Sequence, residues 1–395
     1  MNKAIQNAWE YLKGDKSIWL VVLMLFGISM LAVYSATGTL AYAKEVDSSY
    51  YLIKQISLTI FGMLLMFGTH MINYKYYSRI AQILWFISIP LLIYTMFFTK
   101  SLNDANRWIT LPVVGLTFQT SDLAKLALIM FLARQLSQKQ DQITDFKEAF
   151  LPILLPIIIT CLLIAPENLS TSMILFCTSV FVMFIGRIAI KHIAALMGIA
   201  TVVFSLFVLL LHVVPEKTLY SINKRTVTWK NRIDDFAQTI TSGKTNEDED
   251  YQVLQAKIAI AKGGLFQLNP GGSDQRNFLP QAYNDFIYVI IIEEYGLLGG
   301  ASIVFLYLFF LYRCIRIVIN APKAFGALLA VGLGIALVTQ AMINMAVAVN
   351  LLPVTGVTLP LVSMGGSSVI FTSIAFGIIL SVSRNIEEEK SLETA

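Results

Sequence analysis

The chain has 395 residues, 56% of them hydrophobic and 14% charged, with a formal net charge of +4 and a mean hydropathy of +0.68. Those proportions exclude an ordinary water-soluble globule, and basic residues sorted by side rather than gathered into one patch exclude a nucleic-acid-binding surface. The expectation is an all-α integral membrane protein, a single polytopic bundle over residues 1–395.

Cys161, Cys177 and Cys314 are odd in number and fall in or beside apolar runs, so no disulfide framework is implied. His70, His192 and His212 stand apart from one another and from the cysteines, and no metal-ligand motif is visible. The first apolar run lacks a small-residue cleavage pattern behind it and reads as a retained span.

Runs able to cross a hydrocarbon core of roughly 30 Å begin with Ile18 to Ala36, Leu52 to Met71, Ile80 to Phe98 and a short fourth run, Leu123 to Leu136. Ala149 to Ala165, Thr171 to Ile185, Ile188 to Val214, Phe286 to Tyr312, Phe325 to Val349 and Ser367 to Val382 complete ten spans. Pro152 and Pro156 should kink the fifth. An even number of spans puts both termini on one side. That side carries Lys13, Lys16, Lys75, Arg79, Arg134, Lys139, Arg187, Arg313, Arg316 and Arg384, whereas the other carries little beyond Lys44, Lys54, Lys100 and Arg107. The positive-inside rule therefore makes residues 1–16 and 384–395 cytoplasmic.

The same assignment makes residues 215–284, between the seventh and eighth spans, a large extracytoplasmic loop. It holds a basic part with Trp229 and Arg232, a polar tract from Thr241 to Asp250 that reads as a mobile tip, and an amphipathic helix from Tyr251 to Lys262. Glycine-rich turn chemistry follows. A second outer loop, Asn350 to Ser368, carries no charge. Its glycines and prolines imply backbone that dips into the protein, which is allowed only where it is buried or lines a cavity.

Where the large loop re-enters the apolar region stand three carboxylates, Asp285, Glu293 and Glu294. Ionisable groups inside a span are costly and mark function. Glu293, eight residues after Asp285, lies about 80° round a helix and about 12 Å deeper, so the two cannot share one reacting atom. Glu294 points nearly opposite Asp285. A structural or cleft role follows for this pair, through Lys125, through a metal, or through hydrogen bonds between spans.

Three groups of residues carry a family resemblance. They are Asn106-Arg-Trp-Ile109 with Phe118-Gln-Thr-Ser-Asp-Leu-Ala-Lys125, Leu279-Pro-Gln-Ala-Tyr-Asn-Asp-Phe286 with Glu293-Glu-Tyr-Gly296, and the segment Leu352 to Ser368. In this order and at these spans they resemble the SEDS family, the polytopic glycosyltransferases of shape, elongation, division and sporulation, over nearly the whole chain. Thr358-Leu-Pro360 is more similar to the division member than to the elongation member. The sequence departs from the family pattern at Thr120, Asp122, Asn168, Ser170, Asn284 and Met364.

The resemblance implies polymerisation of lipid II, in which a glycan on undecaprenyl pyrophosphate is transferred to the sugar hydroxyl of an incoming lipid-linked disaccharide. It makes Asp285 the base, the competing reading being a helix N-cap. Arg107 and Lys125 become the cations for the pyrophosphate. The competing readings are an interfacial loop cation beside Trp108 and an i,i+3 pair with Asp122. Glu293, Gln252 (with Gln255), Thr358, Ser363 and Ser367 join them as candidate substrate contacts. Ser363 to Ser367 could donate to a phosphate in the manner of a nest, or Gly365 and Gly366 could simply allow tight helix packing. A divalent cation, Mg or Mn, is implied as cofactor. A class B penicillin-binding protein and other division-site membrane proteins are implied as partners. A lipid II translocator and a non-catalytic scaffold are the alternatives.

Overall fold

The computed structural model describes residues 13–38, 40, 47–98, 108–110, 117–222, 224–242, 249–279 and 281–393. Arg107, the Lys44 and Lys100 positions and most of the polar tract, 243–248, lie outside them.

The helices follow the apolar runs. In chain order they are α1 Lys16–Ala36, α2 Ser48–Met71, α3 Tyr74–Phe98, α4 Thr120–Gln138, α5 Leu151–Ile164, α6 Leu169–Ile185 and α7 Ile190–Val213. The large loop contributes α8 Glu216–Ile222, α9 Lys224–Ser242 and α10 Glu249–Gly263, and the chain closes with α11 Ile287–Asn320, α12 Ala324–Ala348 and α13 Gly366–Glu393. Among the described residues eight helices are long and apolar enough to cross a membrane, α5 being counted with the π-helical turn Phe146–Phe150 that runs into it. The shorter apolar α6 and the more polar α4 fill the remaining two expected positions. A two-stranded antiparallel hairpin, β1 Trp108–Thr110 with β2 Thr117–Gln119, pairs Ile109 with Phe118 immediately before α4.

Local chemistry accounts for several boundaries. Asp15 caps α1 by accepting from the Ser17 and Ile18 amides, and Asn168 caps α6 through the Thr171 amide. Such caps satisfy donors that a helix start leaves unpaired. Pro152 falls where the π-helical turn Phe146–Phe150 passes into α5, and Pro156 lies in the interior of α5. α13 runs past the expected end at Val382 to Glu393, so the segment from residue 384 continues the span's helix.

α4 and α12 are the inner helices: α4 packs against α3 and α12, while α12 also packs against α11, α6 and α13. α4 buries Asp122, Ala124 and an unbroken run from Leu126 to Ala133. That centrality explains why the fourth run reads poorly as a lipid-facing span: its polar residues face protein. α7 is the opposite case, with only Ile193, Leu196 and Leu211 buried.

The large loop is more ordered than its composition suggests. α8 and α9 are joined by a Lys230–Glu216 ion pair of 2.8 Å, and Trp229 packs 6.0 Å from Phe207 of α7, ring centre to ring centre. α10 lies along α11, burying Ala256 and Ala259.

α11 is not one continuous rod. Gly296 breaks it with φ 71° and ψ −178°, a backbone state open essentially to glycine alone. Residues 264–267 pack into the break, where a Cβ on Gly296 would stand 2.8 Å from the Leu265 carbonyl oxygen. The amides of Leu297 and Leu298, released by the break, donate to the carbonyls of Gly264 (2.9 Å) and Leu265 (3.2 Å).

Candidate active site

Asp285 lies in a turn just before α11, and the N-cap of that helix is Phe286, with no side-chain cap bond. The N-cap explanation for Asp285 therefore falls. The turn is built from Gln281, a non-glycine residue at φ 54°, whose carbonyl accepts from the amides of Asn284 (2.9 Å) and Asp285 (3.3 Å).

The uncharged segment 350–365 closes over this turn. Met364 donates its amide to the Tyr283 carbonyl at 3.0 Å, and Ser363 Oγ donates to the Asn284 carbonyl at 2.6 Å while accepting from the Leu359 amide at 2.8 Å. Tyr307 OH bonds the Pro360 carbonyl. Leu361 is held at φ 61°, an unfavourable state for a bulky side chain that this bonding over-determines. At Gly356, with φ 65°, the chain passes Asp285 closely: a Cβ there would sit 3.5 Å from Asp285 Oδ2. Segment 350–365 thus forms the wall facing the carboxylate, as non-helical backbone held by bonds to the 283–284 turn, to Tyr307 and to α12.

Lys125 stands on the first turns of α4. Its Nζ is 2.9 Å from Asp122 Oδ1, one helical turn back, and donates to Gln340 Oε1 at 3.3 Å. Asp122 also accepts from Ser367 Oγ at 3.0 Å. Thr358 Oγ1 and Ser368 Oγ lie 2.8 Å apart. Asp122, Lys125, Gln340 and Ser368 line one end of a cleft whose other end is apolar, with Ile129 and Leu337 among its walls; its empty space, ≈ 590 Å³, includes its opening to solvent.

Two amides on α12, absent from the sequence reading, tie these parts together. Gln340 Nε2 donates to the Thr358 carbonyl at 3.0 Å. Asn344 Nδ2 donates to the carbonyls of Val357 (2.6 Å) and Asp285 (3.0 Å). The signal that could have found them is polarity inside an apolar span, the same signal that marked the glutamates.

Of the residues expected at the site, Asp285, Lys125, Thr358, Ser363 and Ser367 belong to this network. The hydroxyls of Ser363 and Ser367 already donate to protein acceptors, which leaves backbone groups of this segment, rather than these hydroxyls, as donors to a phosphate. Gln252 is half-buried on α10 and Arg232 half-buried on α9, outside the network.

Glu293 and Glu294 are placed differently from the expected pairing with Lys125. Glu293 accepts from Ser273 Oγ and from the amides of Asp274 (3.2 Å) and Gln275 (3.3 Å). Glu294 accepts from Ser35 Oγ and the Ser273 amide (3.3 Å), and its carbonyl accepts from the Asn269 amide (2.9 Å). Arg276 crosses to the Ser35 and Gly271 carbonyls at 3.2 and 2.9 Å. The two glutamates therefore meet at Ser273 and fasten residues 269–275 to α11.

No cluster of three His, Cys, Asp or Glu residues able to hold a metal occurs among the described residues. Asn284 Oδ1 and Asn344 Oδ1 are buried without a protein partner. A neutral amide oxygen such as that of Asn284, next in sequence to the Asp285 carboxylate, is the donor type that suits a hard divalent cation such as Mg or Mn.

Fold and site together define a multi-pass helical membrane protein with a half-polar, half-apolar cleft, a cation at its head and a carboxylate on an adjoining turn. The chain belongs to the FtsW/RodA/SpoVE family of cell cycle proteins, whose family model matches residues 15–388. It is 33% identical to stage V sporulation protein E of Bacillus subtilis (strain 168) over 94% of this chain and 97% of that protein. It is 31% identical to a probable peptidoglycan glycosyltransferase FtsW of Geobacter sp. (strain M18), over 92% of this chain and 94% of the relative. In fold it is similar to a chain of a peptidoglycan synthase complex solved for its coordination of polymerization and crosslinking (TM-score 0.71, 22% identity, 94% of this chain and 98% of that one). It is also similar to the rod shape determining protein RodA of Thermus thermophilus (TM-score 0.65, 22% identity, 94% and 97%).

Proposed function

We propose that the chain is a peptidoglycan glycosyltransferase that polymerises lipid II, acting in septal wall synthesis with a class B penicillin-binding protein as its crosslinking partner. Relatives named as such glycosyltransferases at 31% identity over most of both chains support the activity. Similarity to a subunit of a synthase complex supports the partnership. The observation that carries the chemical reading is the cleft: Lys125 and Asp122 at its head, an apolar floor, and Asp285 on the turn joined to it through α12. A charged diphosphate on a polyprenyl tail has the same two-part character.

In the reaction the acceptor sugar hydroxyl attacks the anomeric carbon of the donor. Asp285 takes the hydroxyl proton as the new C–O bond forms. The bond from the anomeric carbon to the phosphate oxygen breaks, and undecaprenyl pyrophosphate leaves with the bonding pair. Lys125 balances charge on the departing diphosphate, with Arg107 as a second candidate and Glu293 supporting the cleft from behind. Asp285 and the Asn284 side-chain oxygen would hold a divalent cation, which would supply further neutralisation of the diphosphate. Both termini are cytoplasmic and the site opens outward, where the headgroup of translocated lipid II lies.

The break in α11 at Gly296, with a loop packed into it, favours one second reading, a lipid II translocator, because broken helices are characteristic of transporters. Detergent separates the two. The purified chain with its penicillin-binding partner should make glycan strands from lipid II in micelles, where there is no membrane to translocate across. Absence of glycan in micelles, alongside lipid II movement in sealed vesicles, would establish the translocator.

A further inference from the structure

We infer that Gln340 and Asn344 are positioning residues which together set the placement of Asp285 relative to Lys125. This rests on the proposed glycosyl transfer. The two amides stand four residues apart on α12, hence on one helix face about 6 Å apart. Each donates to the carbonyl of one of two successive residues in the wall: Gln340 to Thr358 at 3.0 Å, and Asn344 to Val357 at 2.6 Å.

Fastening an irregular segment would need nothing more, yet each amide also holds a second element. Gln340 Oε1 accepts from Lys125 Nζ at 3.3 Å. Asn344 Nδ2 reaches the Asp285 carbonyl at 3.0 Å. Asn344 is 1% exposed, and its Oδ1 has no protein partner. Its amide orientation is therefore fixed by the two carbonyls it serves. One helix face thus connects cation, wall and carboxylate through bonds that a low-dielectric interior strengthens.

Transfer needs the base at the attacking hydroxyl and the cation at the leaving diphosphate, on opposite sides of one carbon. A shift of about 1 Å between such groups can cost about 100-fold in rate. Loss of either amide should therefore slow turnover without loosening substrate binding.

The test is lipid II polymerisation by the full chain with its penicillin-binding partner, comparing Gln340→Met, Asn344→Leu and the double variant, with Asp285→Asn as control. The expected result is kcat reduced by about 30-fold or more in each single variant, with KM within about threefold. The double variant should be no worse than about threefold below the weaker single, because both act through one wall. Wild-type kcat in either folded variant, a loss confined to KM, or losses that multiply in the double variant would overturn the inference. Should Asn344→Leu fail to fold, Gln340→Met decides alone. Full activity in Asp285→Asn would instead count against the base assignment, so the two failures are distinguishable.

Discussion

Lys125 and Asp122 form a 2.9 Å ion pair across one turn of α4, with side chains 23% and 10% exposed, and Ser367 anchors the far carboxylate oxygen. The intrahelical pair and the proposed contact to the diphosphate are compatible, because the aspartate balances the ammonium until an anionic headgroup arrives. Lys125→Met should lower kcat/KM for lipid II by about 100-fold, the scale of removing one charge-stabilising group. It should destabilise the protein by about 2 kcal/mol, between the values for exposed and buried pairs. Steady-state kinetics with a thermal melt check both, and normal kcat/KM in the folded variant would make the lysine purely structural.

Glu293 faces the loop, and its loss should act through that loop. Glu293→Ala strips the acceptor from the Asp274 and Gln275 amides and from Ser273. It should cost about 3 kcal/mol of stability, since buried donors left unpaired lose their full desolvation cost. Hydrogen exchange should show the 274 and 275 amides deprotected. The folded fraction should keep its KM for lipid II within about threefold, because no substrate contact is removed.

Gly296→Ala combines an unfavourable backbone state with a Cβ 2.8 Å from both the Leu265 carbonyl oxygen and the Phe266 Cα. Backbone strain alone amounts to about 1–3 kcal/mol. The melting temperature should fall, and protease cleavage within residues 264–268 should rise as that loop leaves the break. An unchanged melt would mean that α11 can straighten.

The sequence shows the bundle clearly because each helix announces itself as an apolar run, and it shows Asp285 and Lys125 because a charge at a span edge stands out against that background. The fold-back of residues 263–276 is not legible. Ser273 lies 20 residues from Glu293, and Ser35 lies 259 from Glu294, so no local spacing joins them. Tyr295-Gly-Leu-Leu-Gly-Gly300 reads as continuous helix because a glycine break needs a partner segment to fill it, and that segment is thirty residues upstream in sequence. The order in α8 and α9 is hidden for a related reason: their polar composition is that of a solvated loop, and the Lys230–Glu216 and Trp229–Phe207 contacts that organise them are tertiary. Gln340 and Asn344 were visible as amides in a greasy span, but only the structure shows which carbonyls they hold.

The most direct measurement is glycan polymerisation from purified lipid II by Asp285→Asn in complex with the penicillin-binding partner. The side chain keeps its size, and the Asn344 bond to the residue 285 carbonyl does not depend on the carboxylate. The variant should insert and melt like the wild type and yet make no glycan strands. Polymerisation at the wild-type rate would contradict the account.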